Sequence, residues 1–131
     1  MTHPLVKQLR FARSEFVRCI DGVTTEEANT RLGQMNSISW NIGHLASQEN
    51  QYFVYLGQGK AIQPDLRKIA GSGSPASTPD LDDMWAAWRE VTTQADVFLD
   101  TVTTESLQTY FEHNGKSVRE SIGTMILRCI Y

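Results

Sequence analysis

The chain has 131 residues, 40% of them hydrophobic and 21% charged, which suits one globular domain, residues 1–131, and excludes disordered, collagen-like and coiled-coil chains. The net charge is −3, and no basic run could neutralise a phosphate backbone, so we expect no nucleic-acid partner. No apolar stretch approaches the roughly 20 residues that cross a bilayer, and the N-terminus lacks the features of a signal peptide, so we predict a cytoplasmic protein with no membrane partner.

The first predicted helix covers residues 4–22 and ends at the turn Asp21-Gly22. Apolar residues recur along it at helical spacing, while Arg10, Arg13 and Arg18 occupy the opposite face. The apolar stripe consists of Leu5, Leu9, Ala12, Phe16, either Cys19 or Ile20, and Val23. A capping box, Thr24-x-x-Glu27, then predicts a short connecting helix that reaches Leu32.

The second long helix is predicted to start after Ser37 as N-cap and to end at Gly57. Its buried seam is predicted to run through Ile38, Ile42, Leu45, Glu49, Tyr52 and Leu56. Glu49 is the only charged member of this seam, and burying a lone carboxylate costs several kcal/mol. We therefore expect Glu49 to be buried and either paired, protonated or part of a functional site, with a Tyr or Trp donor as one possible partner.

Residues 57–79 are rich in Gly, Pro and Ser and are predicted to form a long crossover loop. The third helix is predicted to open with Thr78 as N-cap and Pro79 at the first helical position, and to run for about 23 residues. A second capping box, Ser117-x-x-Glu120, predicts a fourth helix of about 14 residues. Its apolar pattern is still running at Tyr131, so we expect this helix to be truncated.

These elements define an all-α fold, and the connection lengths indicate its topology. A crossover over residues 57–79 is long enough to return along a helix of about 28 Å, so the second and third helices can run parallel. The shorter connections favour antiparallel neighbours. The pattern therefore predicts an up-down-down-up four-helix bundle with a long crossover loop between its second and third helices.

His44 is the candidate functional residue of the second helix, and Gln48 and Gln51 share its face. A single helical histidine is most often structural or exposed to solvent. A metal site needs three or four converging ligands, and neither His3 nor His113 forms a pair with His44 at helical spacing. Residue types alone therefore leave a metal centre unsupported, and Glu49 near His44 is the one pairing of interest.

Two stretches resemble motifs of the DinB-like (damage-inducible) superfamily, and the likeness in order and spacing covers nearly the whole chain. The first stretch is Asn36-Ser-Ile-Ser-Trp-Asn-Ile-Gly-His44-Leu-Ala-Ser-Gln-Glu49-Asn-Gln-Tyr-Phe, which is similar to the family's Ser-Ile-Gly-x-x-x-x-His-Leu-x-x-x-Glu type of pattern. The second is Asn114-Gly115-Lys-Ser-Val-Arg-Glu-Ser-Ile-Gly-Thr-Met125-Ile-Leu-Arg, which resembles the start of the family's fourth helix.

The resemblance implies an up-down-down-up bundle that is often a homodimer and that commonly holds a divalent metal, zinc or nickel, with three histidines. The histidine of the second helix corresponds to His44. The other two form a His-x-x-x-His on the fourth helix, and their matching place begins just after Tyr131, so we expect the remaining ligands beyond that residue. In this chain we expect the metal to be absent or weakly bound.

Two functions follow as hypotheses from the resemblance. The first is a metal-dependent transferase or hydrolase of the thiol-dependent type, which takes a small molecule or thiol as substrate. In it His44 is a metal ligand and Glu49 is a catalytic proton carrier or an acceptor behind the metal ligands. The second is a non-catalytic dimeric helical bundle that acts as an interaction or stress-response module. In either case we expect self-association, because a shortened fourth helix leaves apolar surface uncovered.

Overall fold

The computed structural model describes all residues, Met1–Tyr131, and most of the chain is helical. The α-helices are α1 (Pro4–Cys19), α2 (Thr25–Asn29), α3 (Ile38–Glu49), α4 (Leu66–Ala70), α5 (Leu81–Leu99) and α6 (Ile122–Ile130). A π-helical segment (Asn50–Leu56) continues α3 directly, and a 3-10 turn covers Ser106–Gln108. Strands β1 (Tyr110–His113) and β2 (Lys116–Ser121) form an antiparallel hairpin. The helical class is as predicted, while the up-down-down-up order stays a prediction.

The core consists of two clusters that share α5, the longest helix. The N-terminal half of α5 packs with α2, α3 and α4, and its C-terminal half packs with α1, the π-helical segment, the hairpin and α6. Within α5 the fully buried residues of the two clusters are Val91 for the first and Ala95 and Leu99 for the second. Helix α5 therefore joins the two halves of the domain.

Helices α2 and α3 begin at the N-caps that the sequence predicts. Thr24 and Glu27 form the capping box of α2, and the hydroxyl of Ser37 accepts a hydrogen bond from the N–H of Trp40 at 3.1 Å. The predicted ends extend too far, because α1 stops at Cys19 rather than residue 22 and α2 stops at Asn29 rather than Leu32. Terminal turns are the least determined part of a helix, since their last carbonyls lack intrahelical partners.

The buried face of α3 and of the π-helical segment lies beside the predicted seam. The predicted seam placed Tyr52 and Leu56 in the core, but both are half-buried, whereas Phe53 and Val54 are fully buried. The buried residues Ile42, Ala46, Glu49 and Phe53 keep α-helical spacing into the π-helical segment, so the predicted seam lies at the edge of the buried face rather than at its centre. The π-helical segment ends at Leu56 with Gly57 as its C-cap, as predicted, and a Cβ atom on Gly57 would lie 3.0 Å from the ring of Phe98.

The region predicted as a plain crossover loop, residues 57–79, contains the short helix α4. Leu66 and Ala70 of this helix are buried, and the helix packs against α3. The third predicted helix begins later than predicted, because Asp80 rather than Thr78 is its N-cap. The carboxylate of Asp80 accepts a hydrogen bond from the N–H of Asp83 at 3.0 Å, and Pro79 lies outside the helix. It ends at Leu99 after 19 residues instead of about 23.

The predicted fourth helix starts too early, because residues 116–121 form β2. Asn114 and Gly115 have φ angles of 53° and 76°, and this Asn-Gly pair makes the two-residue turn of the hairpin. An Asn-Gly pair with two positive φ angles is the strongest short-range signal for such a turn, and here it overrides the capping box at Ser117. Ser121 is the true N-cap of α6, which spans nine residues instead of about 14. None of the helices is both long and apolar enough to span a membrane.

The structure predicts that Ser121→Ala destabilises the domain by about 1 kcal/mol, because the variant loses the hydrogen bond from the N–H of Thr124 to the Ser121 hydroxyl. Ser117→Ala is the matched control, since Ser117 lies in an exposed strand and caps no helix. We expect it to change the free energy of unfolding by less than about 0.5 kcal/mol. Urea denaturation of both variants tests this, and equal losses would contradict the helix start at Ser121.

Candidate functional site

His44 lies on α3 with its ring orientation fixed from two sides. Its Nδ1 atom is 2.9 Å from the carbonyl oxygen of Ala70, at the end of α4. Its ring stacks on that of buried Trp40, with centroids 4.9 Å apart and planes 9° from parallel. A carbonyl oxygen can only accept, so Nδ1 carries the proton and the neutral ring keeps its lone pair on Nε2. Nε2 is therefore the atom that remains free to accept a proton or to bind a metal.

The approach of α4 to His44 depends on two glycines. A Cβ atom on Gly43 would lie 3.1 Å from the Cβ of Ala70 and 2.5 Å from the sulfur of Met84, so a side chain there would displace the Met84 side chain and press against α4. The N–H of Gly71 donates to the carbonyl of Arg67 at 2.8 Å, and a Cβ at this position would collide with that carbonyl oxygen. Both glycines thus place the Ala70 carbonyl where it can hold His44.

A cavity of about 310 Å³ lies beside His44 and is mostly polar. Its lining consists of His44, Ser47, Gln48, Gln51, Tyr52, Arg67, Ser72 and Arg128. Helix α3 and the π-helical segment supply five of these side chains, α4 and the residues after it supply two, and α6 supplies Arg128. The cavity is within the volume range of small-molecule sites, and π-helical turns often occur at functional sites.

Arg128 is held at this cavity by a partner on β2. Its Nε donates to Oε2 of Glu120 at 2.6 Å, and the second hydrogen bond of the pair joins Nη2 to Oε1. The hydrogen bond from Arg128 holds the pKa of Glu120 below its ordinary value. The hairpin, which the sequence did not predict, therefore positions a cation at the rim of the His44 cavity.

Glu49 is buried, as predicted, but its partner is Arg13 rather than a Tyr or Trp. Nε of Arg13 donates to Oε2 of Glu49 at 3.0 Å, Nη2 donates to Oε1, and Nη1 donates to Asp96 at 2.7 Å. Asp96 also accepts a hydrogen bond from Arg10 at 3.1 Å. Arg13, assigned to the polar face of the first helix, is thus the centre of an ion network that links α1, α3 and α5.

Burial and charge oppose each other in this network. Burial raises the pKa of Glu49, and the hydrogen bonds and charge of Arg13 offset only part of this rise. For Arg13, burial alone would lower the pKa, but the hydrogen bonds and charges of Glu49 and Asp96 outweigh it and raise it. Arg13 is therefore a permanent cation, and a neutral Glu49 would leave it with a single carboxylate partner.

Glu49 and His44 face different cavities. Glu49 lines a separate cavity of about 210 Å³, together with Arg13, Trp88 and Cys129, and Gln48 is the residue that lines both. Burial raises the pKa of the Cys129 thiol, so this sulfur is not an activated nucleophile. The catalytic role of Glu49 stays a prediction, and both of its oxygens are engaged by Arg13 in the structure.

Arg67 and Arg13 are the two residues that sequence reasoning missed. Arg67 lay in the region predicted as loop, where no periodicity could place its side chain. Arg13 could have been found, because a carboxylate within an apolar seam requires a cation and the first helix carries several arginines.

A comparison against protein families identifies the superfamily of the chain. A model described as the DinB superfamily matches residues 8–131. The chain therefore belongs to the DinB superfamily, which confirms the resemblance seen in the sequence. A search of curated proteins gives no match. Metal binding, self-association and location in the cytoplasm stay predictions.

The ion network predicts a large stability loss when one partner is removed. Glu49→Ala leaves Arg13 buried with only Asp96, and we expect it to lower the free energy of unfolding by about 3–5 kcal/mol. Arg13→Met combined with Glu49→Leu removes both charges, so this double variant should recover most of the loss. Glu15→Ala breaks the exposed pair with Arg18 and should cost less than about 1 kcal/mol. A Glu49→Ala loss as small as that of Glu15→Ala would contradict the network's importance.

The glycine after α4 gives a second prediction. Gly71→Ala forces the end of α4 to move, so we expect the Nδ1–H of His44 to lose its carbonyl partner and the imidazole to sample both tautomers. Histidine ¹⁵N chemical shifts measure this directly. Gly73→Ala is the control, because Gly73 has open space around it and its strained φ of 85° affects stability without reaching His44. A single Nδ1–H tautomer in both variants would show that α4 does not hold the ring.

Proposed function

We propose that the His44 cavity is the active site of a DinB-type enzyme that acts on a small molecule, as a metal-dependent transferase or hydrolase of the thiol-dependent kind. One observation carries the proposal. His44 is fixed as the Nδ1–H tautomer by the Ala70 carbonyl, with Nε2 unpartnered at a residue that lines a polar cavity. Metal-binding histidines typically show this arrangement, in which the second ring nitrogen donates to a carbonyl or carboxylate.

The donor atoms of residues 1–131 do not make a complete metal site. No group of three or more His, Cys, Asp or Glu side chains is placed to surround an ion, and the ring of His3 is engaged with Thr104. One imidazole alone holds a divalent ion weakly, so His44 is proposed as one ligand and not as a centre. A zinc or nickel ion bound with further ligands would lower the pKa of a bound water or thiol.

The remaining residues of the cavity bind and orient a small molecule. The amides of Gln48 and Gln51 offer donors and acceptors, and the hydroxyl of Ser47 adds one of each. The stacked ring of Trp40 prevents His44 from rotating, so Nε2 keeps one position relative to these groups. Polar groups that hold a small molecule in one orientation relative to Nε2 of His44 favour a reaction between them.

The test is where a divalent ion binds on the purified chain. We expect added Co²⁺ to broaden amide NMR signals of α3 around His44 and of α4 around Ala70, because the ion sits on Nε2. His44→Ala should remove this broadening, whereas His113→Ala should leave it unchanged. Broadening centred on His3 or His113 instead would contradict the proposed site and favour the non-catalytic module.

A further inference from the structure

A second cavity adjoins the His44 cavity and extends it into a groove. This cavity has a volume of about 490 Å³, and Gln51 and Arg67 line both cavities. Its remaining lining includes Lys60, Tyr55 and His113, whose ring meets that of Tyr55 at a centroid distance of 5.5 Å. We call the two cavities together the Arg67 groove, since Arg67 lies where they meet.

The charge of the Arg67 groove is opposite in sign to that of the chain. The chain carries 15 Asp and Glu against 12 Lys and Arg. The groove, however, is lined by Lys60, Arg67 and Arg128 and by no Asp or Glu side chain. Glu120 pairs with Arg128, whereas the ammonium of Lys60 donates a hydrogen bond to the neutral amide of Gln94 at 3.4 Å and forms no ion pair. A concave surface lined by cations concentrates anions from solution.

Arg67 is the cation at the centre of this surface, and it has no counterion. The chain forms ion pairs through Arg10, Arg13, Arg18 and Arg128, and Arg67 takes part in none of them. Its backbone is fixed within α4, which packs on α3 through buried Leu66 and Ala70. A guanidinium presents paired N–H donors that match the two oxygens of a carboxylate.

We propose that the Arg67 groove binds a small organic acid, with a carboxylate of that molecule on the guanidinium of Arg67. The rest of the molecule then extends along Gln51 toward Nε2 of His44. Placing its reactive part at His44 rests on the proposed function, whereas the anion site rests only on the charges and shape of the groove. The substrate class is thus a carboxylate-bearing small molecule rather than a neutral or cationic one.

Succinate titrated into the purified, chelator-treated chain at low ionic strength tests the proposal. We expect chemical-shift changes at the side-chain N–H groups of Arg67 and Gln51. We also expect Arg67→Gln to weaken succinate binding by at least about tenfold, because a charge-assisted pair of hydrogen bonds is lost. Lys68→Gln is the matched control, since it removes the same charge from the adjacent exposed residue, which does not line the groove. We expect this control to stay within about twofold of the unmodified chain.

Equal weakening by Arg67→Gln and Lys68→Gln would overturn the proposal, because it would show a diffuse charge effect. Shift changes confined to residues outside the groove would overturn it as well. His44→Ala separates this inference from the proposed function. It should abolish Co²⁺ binding and leave succinate on Arg67, so either result can fail while the other holds.

Discussion

The rest of the structure depends on the buried pair of Arg13 and Glu49. Three helices meet at this pair, because the remaining donor of Arg13 reaches Asp96 on α5. Apolar contacts allow packed helices to slide, whereas hydrogen bonds between charges require one relative position, since any other leaves a buried charge unpaired. The network therefore fixes α3 against α1 and α5, and α3 in turn carries His44.

Helix α3 and the π-helical segment that follows it serve two surfaces. Up to Glu49 one face packs into the core and the other, with His44 and Gln48, faces the cavity. In the π-helical segment the buried positions become Phe53 and Val54, which leaves Gln51 and Tyr52 as further lining of the cavity. The π-helical segment thus extends the polar wall beside His44, while its buried face continues the core of α3.

The sequence predicts the parts of this fold that depend on local periodicity and fails where a stronger or longer-range signal acts. The long helices and the cap at Ser37 follow from residues close together in the chain. The fourth helix was placed wrongly because the Asn114-Gly115 turn outweighs a capping box, and both signals were present in the sequence. His44 and the burial of Glu49 were predicted, but Arg67 was not, since no local pattern indicates that α4 packs against Gly43.

The five-residue helix α4 supplies two groups of the groove, the carbonyl that contacts His44 and the guanidinium of Arg67. Its last carbonyl fixes the proton of His44, and its second residue is the cation at the centre of the groove. A helix of this length is unstable alone, so its position is set by Leu66 and Ala70 packing on α3. A small residue at position 43 is what lets these contacts form. Packing at Gly43 therefore contributes to the separation of His44 and Arg67, because a Cβ there would lie 3.1 Å from the Cβ of Ala70 and press α4, with Arg67, away from α3.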